Sequence, residues 1–174
     1  MRYADAEGVD GKLPIGVNFV LDEFPNLGVI NDFKKKISTV RSRNIGISVI
    51  FQNIAQLKNR YPNDEYLEIL GNCDTQIALG CTDEVTARFI SNRTGEVTID
   101  VNSQSKQLHA MRMTDYTPEY RETNSVGRRK LMTADEVLRM PLDEALIILR
   151  GQNVFKVKKF DYTRHPESRK LKKV

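Results

Sequence analysis

Three short apolar runs, each followed by a stretch with helical periodicity, set the fold class of this 174-residue chain. The first run, 15–21, is rich in β-branched residues and ends on Asp22 and Glu23, and a proline two residues later blocks its continuation. The runs 47–51 and 76–81 are too apolar for half-exposed strands, which is typical of strands buried on both faces. This alternation predicts an α/β fold with a mostly parallel β-sheet flanked by helices.

Amphipathic helices are predicted between these runs. Apolar residues recur at helical spacing over 30–40, where Asn31 or Asp32 can cap the start. A second helix is expected over 64–70. A third helix is expected to start at Thr82 or Asp83 and to end at Gly95, since a hydroxyl or carboxylate side chain caps one end and glycine the other.

The remaining segments carry other patterns. Residues 102–130 have little periodic apolar content, which predicts a mobile loop or an interface arm. Residues 133–136 have the capping-box pattern of a short helix, and a β-hairpin is expected around residues 151–153. The basic tail, 164–174, is most simply solvated.

Composition is that of an ordinary globular domain, with 40% hydrophobic and 29% charged residues. No apolar stretch approaches the roughly 20 residues that a membrane-spanning helix needs. The net charge of +4 permits a DNA partner without arguing for one. Cys73 and Cys81 have no Cys or His partner at ligand spacing, which predicts reduced, buried thiols.

The acids at the end of the first run are the strongest chemical signal. An apolar strand that ends on two acids is the Walker B arrangement, in which the first acid orients the Mg²⁺ shell and the second polarises the attacking water. Asp22 and Glu23 are expected at the carboxyl edge of the sheet, where α/β folds open their ligand crevice. The alternative is a solvated acid pair at a strand end. The two histidines, His109 and His165, have no acid or nucleophile at catalytic spacing and are interpreted as surface residues.

A set of segments in the same order resembles the TraG/TraD family of type IV secretion coupling proteins. The segments are Val20-Leu-Asp-Glu-Phe-Pro-Asn-Leu-Gly28, 41–46, 51–57, 72–76, 91–99, 131–136 and 160–166, and together they span nearly the whole chain. The resemblance implies that 1–174 is a partial RecA-like domain of a P-loop ATPase motor. Such a motor forms a hexameric ring and uses ATP and Mg²⁺ to move DNA, or a relaxase-linked DNA strand, toward a secretion channel at the cytoplasmic face of the cell membrane.

The resemblance also implies residue roles. Asp22 and Glu23 match the family's Walker B acids, with Asp22 holding Mg²⁺ through water, and Gln52 matches the polar residue that senses the γ-phosphate. Arg43 or Arg41 lies in the stretch that supplies an arginine to the neighbouring subunit's site, and Arg43 is preferred. The alternative for both arginines is solvation at a helix C-terminus, where the helix dipole favours a cation.

One family feature is missing from the sequence. A phosphate loop needs Gly-x-x-x-x-Gly-Lys-Ser/Thr, whereas Gly11-Lys12 has Ala6 and Leu13 at the flanking positions. In the family this loop, an all-helical domain and a membrane anchor would precede residue 1, so we expect the isolated chain neither to bind ATP tightly nor to hydrolyse it. Two alternatives remain, a fragment of an FtsK-like DNA translocase and a non-hydrolysing docking module for relaxase or secretion components.

Overall fold

The computed structural model describes residues 5–6, 8–107 and 119–171, and the side chains of these residues except 106–107 and 119–121. The helices are α1 (Phe33–Thr39), α2 (Ile54–Arg60), α3 (Glu65–Gly71), α4 (Glu84–Thr94) and α5 (Ala134–Leu138). The strands are β1 (Val17–Leu21), β2 (Ile45–Val49), β3 (Thr75–Ala78), β4 (Glu96–Gln107), β5 (Glu119–Lys130), β6 (Glu144–Leu149) and β7 (Phe155–Lys158). Short 3₁₀ turns lie at Phe24–Leu27, Val40–Arg43, Tyr162–Arg164 and Pro166–Lys170.

Strands β1 and β2 form a parallel pair. Their register runs from Val17 opposite Ile45 to Leu21 opposite Val49. The connection between them consists of α1 and two of the 3₁₀ turns, as the sequence predicts for a strand–helix–strand crossover. The carboxyl ends of both strands therefore lie at one edge of this sheet.

The prediction of a mostly parallel sheet was wrong. Strands β3, β6 and β7 form a separate antiparallel sheet, and β4 pairs with β5, also antiparallel. The third apolar run, which becomes β3, pairs with β6 instead of joining the β1–β2 sheet. Because β6 and β7 are the two arms of a tight hairpin, they must run in opposite directions. The α/β class and the C-terminal hairpin are confirmed.

Strands β4 and β5 form a long hairpin, most of which lies in 102–130, the stretch predicted to be a mobile loop or an interface arm. Glu96 pairs with Lys130 at its base, and the segment 108–118 lies outside the described residues. Its strands are exposed along most of their length, and apolar residues alternate with polar ones only at the start of β4, at Val97, Ile99 and Val101. Gly127 lies opposite Ile99, and a Cβ atom there would come within 3.0 Å of the Val101 side chain, which explains a glycine at this position.

Two hydrophobic clusters hold the elements together. The first lies between α1, α2, α3 and the 3₁₀ turn after β1, and consists of Phe24, Phe33, Ile37, Ile54, Leu57, Tyr61, Ile69 and Leu70. The second joins α4, α5 and β6 through Ala87, Ile90, Val137 and Leu146. Cys73 and Cys81 are free and half-buried beside these clusters, and burial raises the pKa of both thiols.

The ends of the helices test the capping predictions. The side chain of Asp83 accepts a hydrogen bond from the Thr86 backbone N–H at 2.8 Å, and the capping box of Thr133 and Glu136 is complete. Gly95 ends α4 with φ 83°, as expected. The cap predicted for α1 was wrong, because Asp32 takes a left-handed conformation and makes no side-chain cap bond. Helix α2 was not foreseen.

Over residues 5–6, 8–107 and 119–171, no helix combines the length and the apolar character that crossing a membrane requires.

Candidate functional site

The carboxyl ends of β1 and β2 are held together by backbone hydrogen bonds around Ile50. Its N–H donates to the carbonyl of Leu21 at 2.9 Å, and its carbonyl accepts from the N–H of Phe24 at 2.8 Å. Ile50, which directly follows β2, is therefore hydrogen-bonded to the residues on either side of Asp22 and Glu23. Both acids are exposed at this edge of the sheet.

Glu23 has an unusual backbone conformation. Its φ of 46° and ψ of 43° lie in the left-handed region, which costs a residue with a Cβ atom about 1–3 kcal/mol. The Glu23 N–H donates to Asp22 Oδ1 at 3.0 Å, and Asn26 Nδ2 donates to Glu23 Oε2 at 2.9 Å. The Glu23 backbone thus holds the Asp22 carboxylate, and Asn26 orients the Glu23 carboxylate.

Phe24 anchors this turn in the first hydrophobic cluster. Its side chain is fully buried, with its ring 4.6 Å from the Phe33 ring and stacked on the Tyr61 ring at 5.3 Å. The Arg60 Nε–H donates to the Pro25 carbonyl at 2.8 Å. A buried aromatic residue directly after Glu23 therefore holds the strained turn in place.

Gln52 lies just beyond β2 at the same edge of the sheet as Asp22 and Glu23. The loop that carries it is fixed on its far side by Ile54, whose N–H donates to Thr86 Oγ1 at 3.0 Å in a buried contact. The amino end of α4 thereby supports the loop. The side chain of Gln52 is exposed.

Arg41 and Arg43 lie at the opposite end of the sheet. The Leu13 N–H donates to the Arg43 carbonyl at 3.1 Å, which places this turn beside the start of β1. A strand of β1's length spans about 16 Å, so the arginines are far from the acids of the same chain. Within one chain, the structure brings Asp22, Glu23 and Gln52 to one edge and leaves both arginines at the other.

The two arginines have different surroundings. Arg43 is 26% exposed; its Nε–H donates to Asp5 Oδ1 at 2.9 Å and its Nη1–H to the Thr39 carbonyl at 3.2 Å. Arg41 is 82% exposed and pairs with Asp74 at 2.6 Å. Each arginine is thus paired with an acid of its own chain, but Arg43 is mostly covered whereas Arg41 is mostly exposed.

Other residues considered from sequence have ordinary surroundings. Gly11 and Lys12 belong to a tight turn, in which the Lys12 N–H donates to the Val9 carbonyl at 3.0 Å, and no helix follows. His165 is exposed and its Nδ1 accepts a hydrogen bond from the Glu167 N–H at 3.2 Å. His109 lies outside the described residues. Across the described parts of the chain, no group of three or more His, Cys, Asp or Glu side chains could hold a metal ion.

Sequence reasoning missed the residues that support this edge. Asn26 and Thr86 act through a side-chain amide and a hydroxyl, whose partners are set by the folded turn and by the packing of α4 on α2. Asn53 could have been found, because an asparagine before an apolar helical stretch is a common helix cap. Its Oδ1 accepts from the Gln56 N–H at 2.8 Å.

Solved structures with this fold include a bacterial conjugative coupling protein. An unbound form of the bacterial conjugative coupling protein TrwB matches with a TM-score of 0.65 and 16% identity, over 83% of this chain and 31% of that one. TrwB in complex with ADP and Mg²⁺ matches with a TM-score of 0.64 and 18% identity, over 88% of this chain and 33% of that one. The shared feature at this level of identity is the fold, that of a coupling protein.

Sequence comparison then gives the family. The family described as "TraM recognition site of TraD and TraG" matches residues 16–142. The chain belongs to this family, and its relatives are TraG- and VirD4-type coupling proteins. It is 32% identical to conjugal transfer protein TraG of Escherichia coli, over 79% of this chain and 22% of the relative. It is 26% identical to type IV secretion system-coupling protein VirD4 of Bartonella quintana (strain Toulouse), over 91% of this chain and 24% of the relative. The chain spans about a quarter or less of the length of these relatives.

Proposed function

We propose that this chain supplies the carboxylate half of an ATP site in a conjugative coupling protein. The observation that carries the proposal is the edge formed by the ends of β1 and β2. There Glu23 is held in a strained conformation beside Asp22, and Gln52 lies at the end of the next strand. Strained backbone conformations cluster at functional sites, and Glu23 is a glutamate, whereas the other non-glycine residues with a positive φ in the described residues are Asp or Asn, which tolerate this region better.

The donor groups at this edge fit Mg²⁺ and an attacking water. Mg²⁺ prefers oxygen ligands and retains several waters, which suits the exposed carboxylate of Asp22. Bound at this edge, Mg²⁺ would neutralise charge on the phosphates of ATP. Glu23, oriented by Asn26, is the general base that accepts a proton from the attacking water. Gln52 binds near the γ-phosphate. The TrwB structure in complex with ADP and Mg²⁺ supports the choice of a nucleotide and Mg²⁺ as ligands.

An arginine from a neighbouring copy of the chain completes the proposed site. Arg41 and Arg43 both lie too far from the acids of their own chain to act on the same nucleotide. The exposure of Arg41 supports its assignment to this role, whereas Arg43 is paired with Asp5 and Thr39. We therefore favour Arg41 over the sequence-based choice of Arg43.

The phosphate loop must come from another part of the polypeptide. The isolated β1–β2 pair supports this view, because small parallel sheets are normally covered on both faces and extended by further strands. Phe19 is 50% exposed and Val20 65% exposed on β1. A strand that carries the phosphate loop would extend this sheet and cover part of its apolar surface.

The role of the complete protein is proposed from the family. ATP hydrolysis by a hexameric ring at the cytoplasmic face of the membrane would move DNA, or a relaxase-linked DNA strand, into a type IV secretion channel. The family description, a TraM recognition site of TraD and TraG, favours contact with the proteins that present the DNA for transfer. Membership of the TraD and TraG family supports a role in conjugative transfer over that of an FtsK-like translocase.

The test compares two polypeptides in an assay of magnesium-dependent ATP hydrolysis. One is the 174-residue chain alone, and the other is a coupling protein chain that contains these residues together with a phosphate loop. We expect turnover by the longer chain only. Turnover by the 174 residues alone would contradict the half-site proposal, and a longer chain that binds relaxase but never hydrolyses ATP would favour the docking module.

A further inference from the structure

Asp74 joins two arginines from distant parts of the sequence. Its Oδ2 accepts a hydrogen bond from Arg41 Nη1 at 2.6 Å, and its Oδ1 accepts from Arg150 Nη1 at 3.4 Å. The backbone N–H of Arg150 also donates to the backbone carbonyl of Asp74 at 3.0 Å. One carboxylate thus uses both oxygens to hold two guanidinium groups side by side.

The fold brings these three residues together from separate elements. Arg41 lies in the 3₁₀ turn before β2, Asp74 directly precedes β3, and Arg150 directly follows β6. Because β6 runs antiparallel to β3, with Thr75 opposite Leu149, the end of β6 returns to the start of β3. Backbone pairing therefore fixes Asp74 beside Arg150, and Arg41 reaches them from the other sheet.

Stability alone does not account for this arrangement. The side chains of Arg41 and Arg150 are 82% and 83% exposed, and Asp74 is 44% exposed. Ion pairs this exposed contribute little to the free energy of unfolding. Two positive charges against one negative charge leave the cluster with a net charge of +1.

The unused donors of the two guanidinium groups suit a phosphate. Each guanidinium has five N–H donors in a planar fork, and in each only one is hydrogen-bonded to Asp74. Planar donor pairs bind phosphate oxygens in bidentate fashion. Because both arginines are bound to the same carboxylate, their remaining donors lie close together. This fits a single terminal phosphate with its three oxygens better than the spaced phosphates of a DNA strand.

We propose that Arg41 and Arg150 together bind the terminal phosphate of a nucleotide held by a neighbouring copy of the chain, and that Asp74 is the positioning residue that holds them in place. This inference rests on the proposed function, in which Arg41 acts on the neighbour's nucleotide. It adds Arg150 as a second phosphate-binding residue. The inference also gives the Asp74 carboxylate a role beside two phosphate-binding arginines, because Asp74 fixes the separation between the Arg41 and Arg150 guanidinium groups.

The test uses a coupling protein chain that contains these residues and a phosphate loop, assayed for ATP hydrolysis as an oligomer. The variants are Arg41→Ala, Arg150→Ala, Arg150→Lys and Asp74→Asn. The matched control is Arg88→Ala, because Arg88 is also an exposed arginine in an ion pair. We expect kcat to fall about 1,000-fold for Arg41→Ala and at least about tenfold for Arg150→Ala.

The remaining variants separate phosphate binding from a structural role. Arg150→Lys keeps the charge but loses the planar fork, so it should restore only part of kcat. Asp74→Asn should lower kcat with little change in KM or in the thermal midpoint, because the arginines remain but are no longer held together. Arg88→Ala should behave as wild type.

The possible results distinguish this inference from the proposed function. Wild-type kcat in both Arg150→Ala and Asp74→Asn, with Arg41→Ala inactive, overturns the inference and leaves the proposed function standing. Wild-type kcat in Arg41→Ala removes Arg41 from the site and overturns this inference, while the proposed carboxylate half of the site stands with Arg43 as its candidate trans arginine. If Arg150→Ala weakens DNA binding and its salt dependence without changing ATP hydrolysis, the cluster binds DNA phosphates and the inference is wrong.

Discussion

Glu23 and Phe24 are adjacent residues with opposite roles in the same turn. Glu23 is exposed and lies in a strained left-handed conformation, whereas Phe24 is fully buried and packs against the rings of Phe33 and Tyr61. The packing of Phe24 offsets the strain at Glu23. The geometry of the candidate site therefore depends on an apolar contact in the core.

Replacement of Phe24 should expose this dependence. Phe24→Ala leaves a cavity in the first hydrophobic cluster and should lower the free energy of unfolding of the 174-residue chain by about 3–5 kcal/mol. Phe160→Ala is the control, because Phe160 is 70% exposed and its replacement should change stability by less than about 0.5 kcal/mol. Urea unfolding measures both, and equal losses in the two variants would show that Phe24 does not anchor the turn.

At the scale of elements, the β4–β5 hairpin is attached to the body through the start of α5. Glu136 completes the capping box of α5 by accepting from the Thr133 N–H at 2.8 Å, and it also pairs with Arg129 of β5. The Thr133 N–H, followed by the Arg129 guanidinium, lowers the pKa of Glu136 below its usual value. One carboxylate thus links a helix cap to the base of the hairpin.

This link should weaken on acidification. Because the pKa of Glu136 is lower in the folded chain than in the unfolded chain, its stabilisation is complete above the usual glutamate pKa of about 4.3. It is lost as the pH falls through the folded value. Thermal unfolding of wild type and Glu136→Gln from neutral to acidic pH should show wild type more stable at neutral pH and the difference vanishing in acid. A difference that is constant with pH would mean that the charge of Glu136 contributes nothing.

Elements with local signals could be predicted from sequence, and elements defined by distant pairing could not. The caps at Asp83 and Thr133 and the glycine end of α4 depend on residues within a few positions of each other. The hairpin of β4 and β5 depends on pairing between Glu96 and Lys130, with mostly polar side chains on both strands. Beyond Val97, Ile99 and Val101 no apolar alternation marks these strands, which explains why a mobile loop or an interface arm was expected over 102–130.

At the scale of the whole molecule, the sequence predicted where the acids lie but not how the sheets are arranged. Asp22 and Glu23 could be placed because they follow the apolar run 15–21, and Gln52 because it follows the apolar run 47–51. The parallel pairing of β1 with β2 brings the ends of both runs to one edge. Strand β3 was expected in the same sheet, but it pairs with β6. Partner choice among strands depends on long-range packing, which apolar patterns alone do not specify. The contact of Arg41 and Arg150 with Asp74 spans both sheets, so it could not be foreseen either.

ATP hydrolysis at the proposed shared site depends most on Glu23. The direct measurement is magnesium-dependent ATP binding and hydrolysis by a coupling protein chain that contains these residues and a phosphate loop, with Glu23→Gln compared with wild type. Glu84→Gln is the control, because Glu84 is an exposed glutamate on α4, paired with Arg88 and remote in sequence from the acids. We expect Glu23→Gln to bind ATP with a Kd close to that of wild type and to lose about 100-fold or more in kcat. Wild-type turnover by Glu23→Gln would contradict a shared ATP site in which Glu23 is the general base.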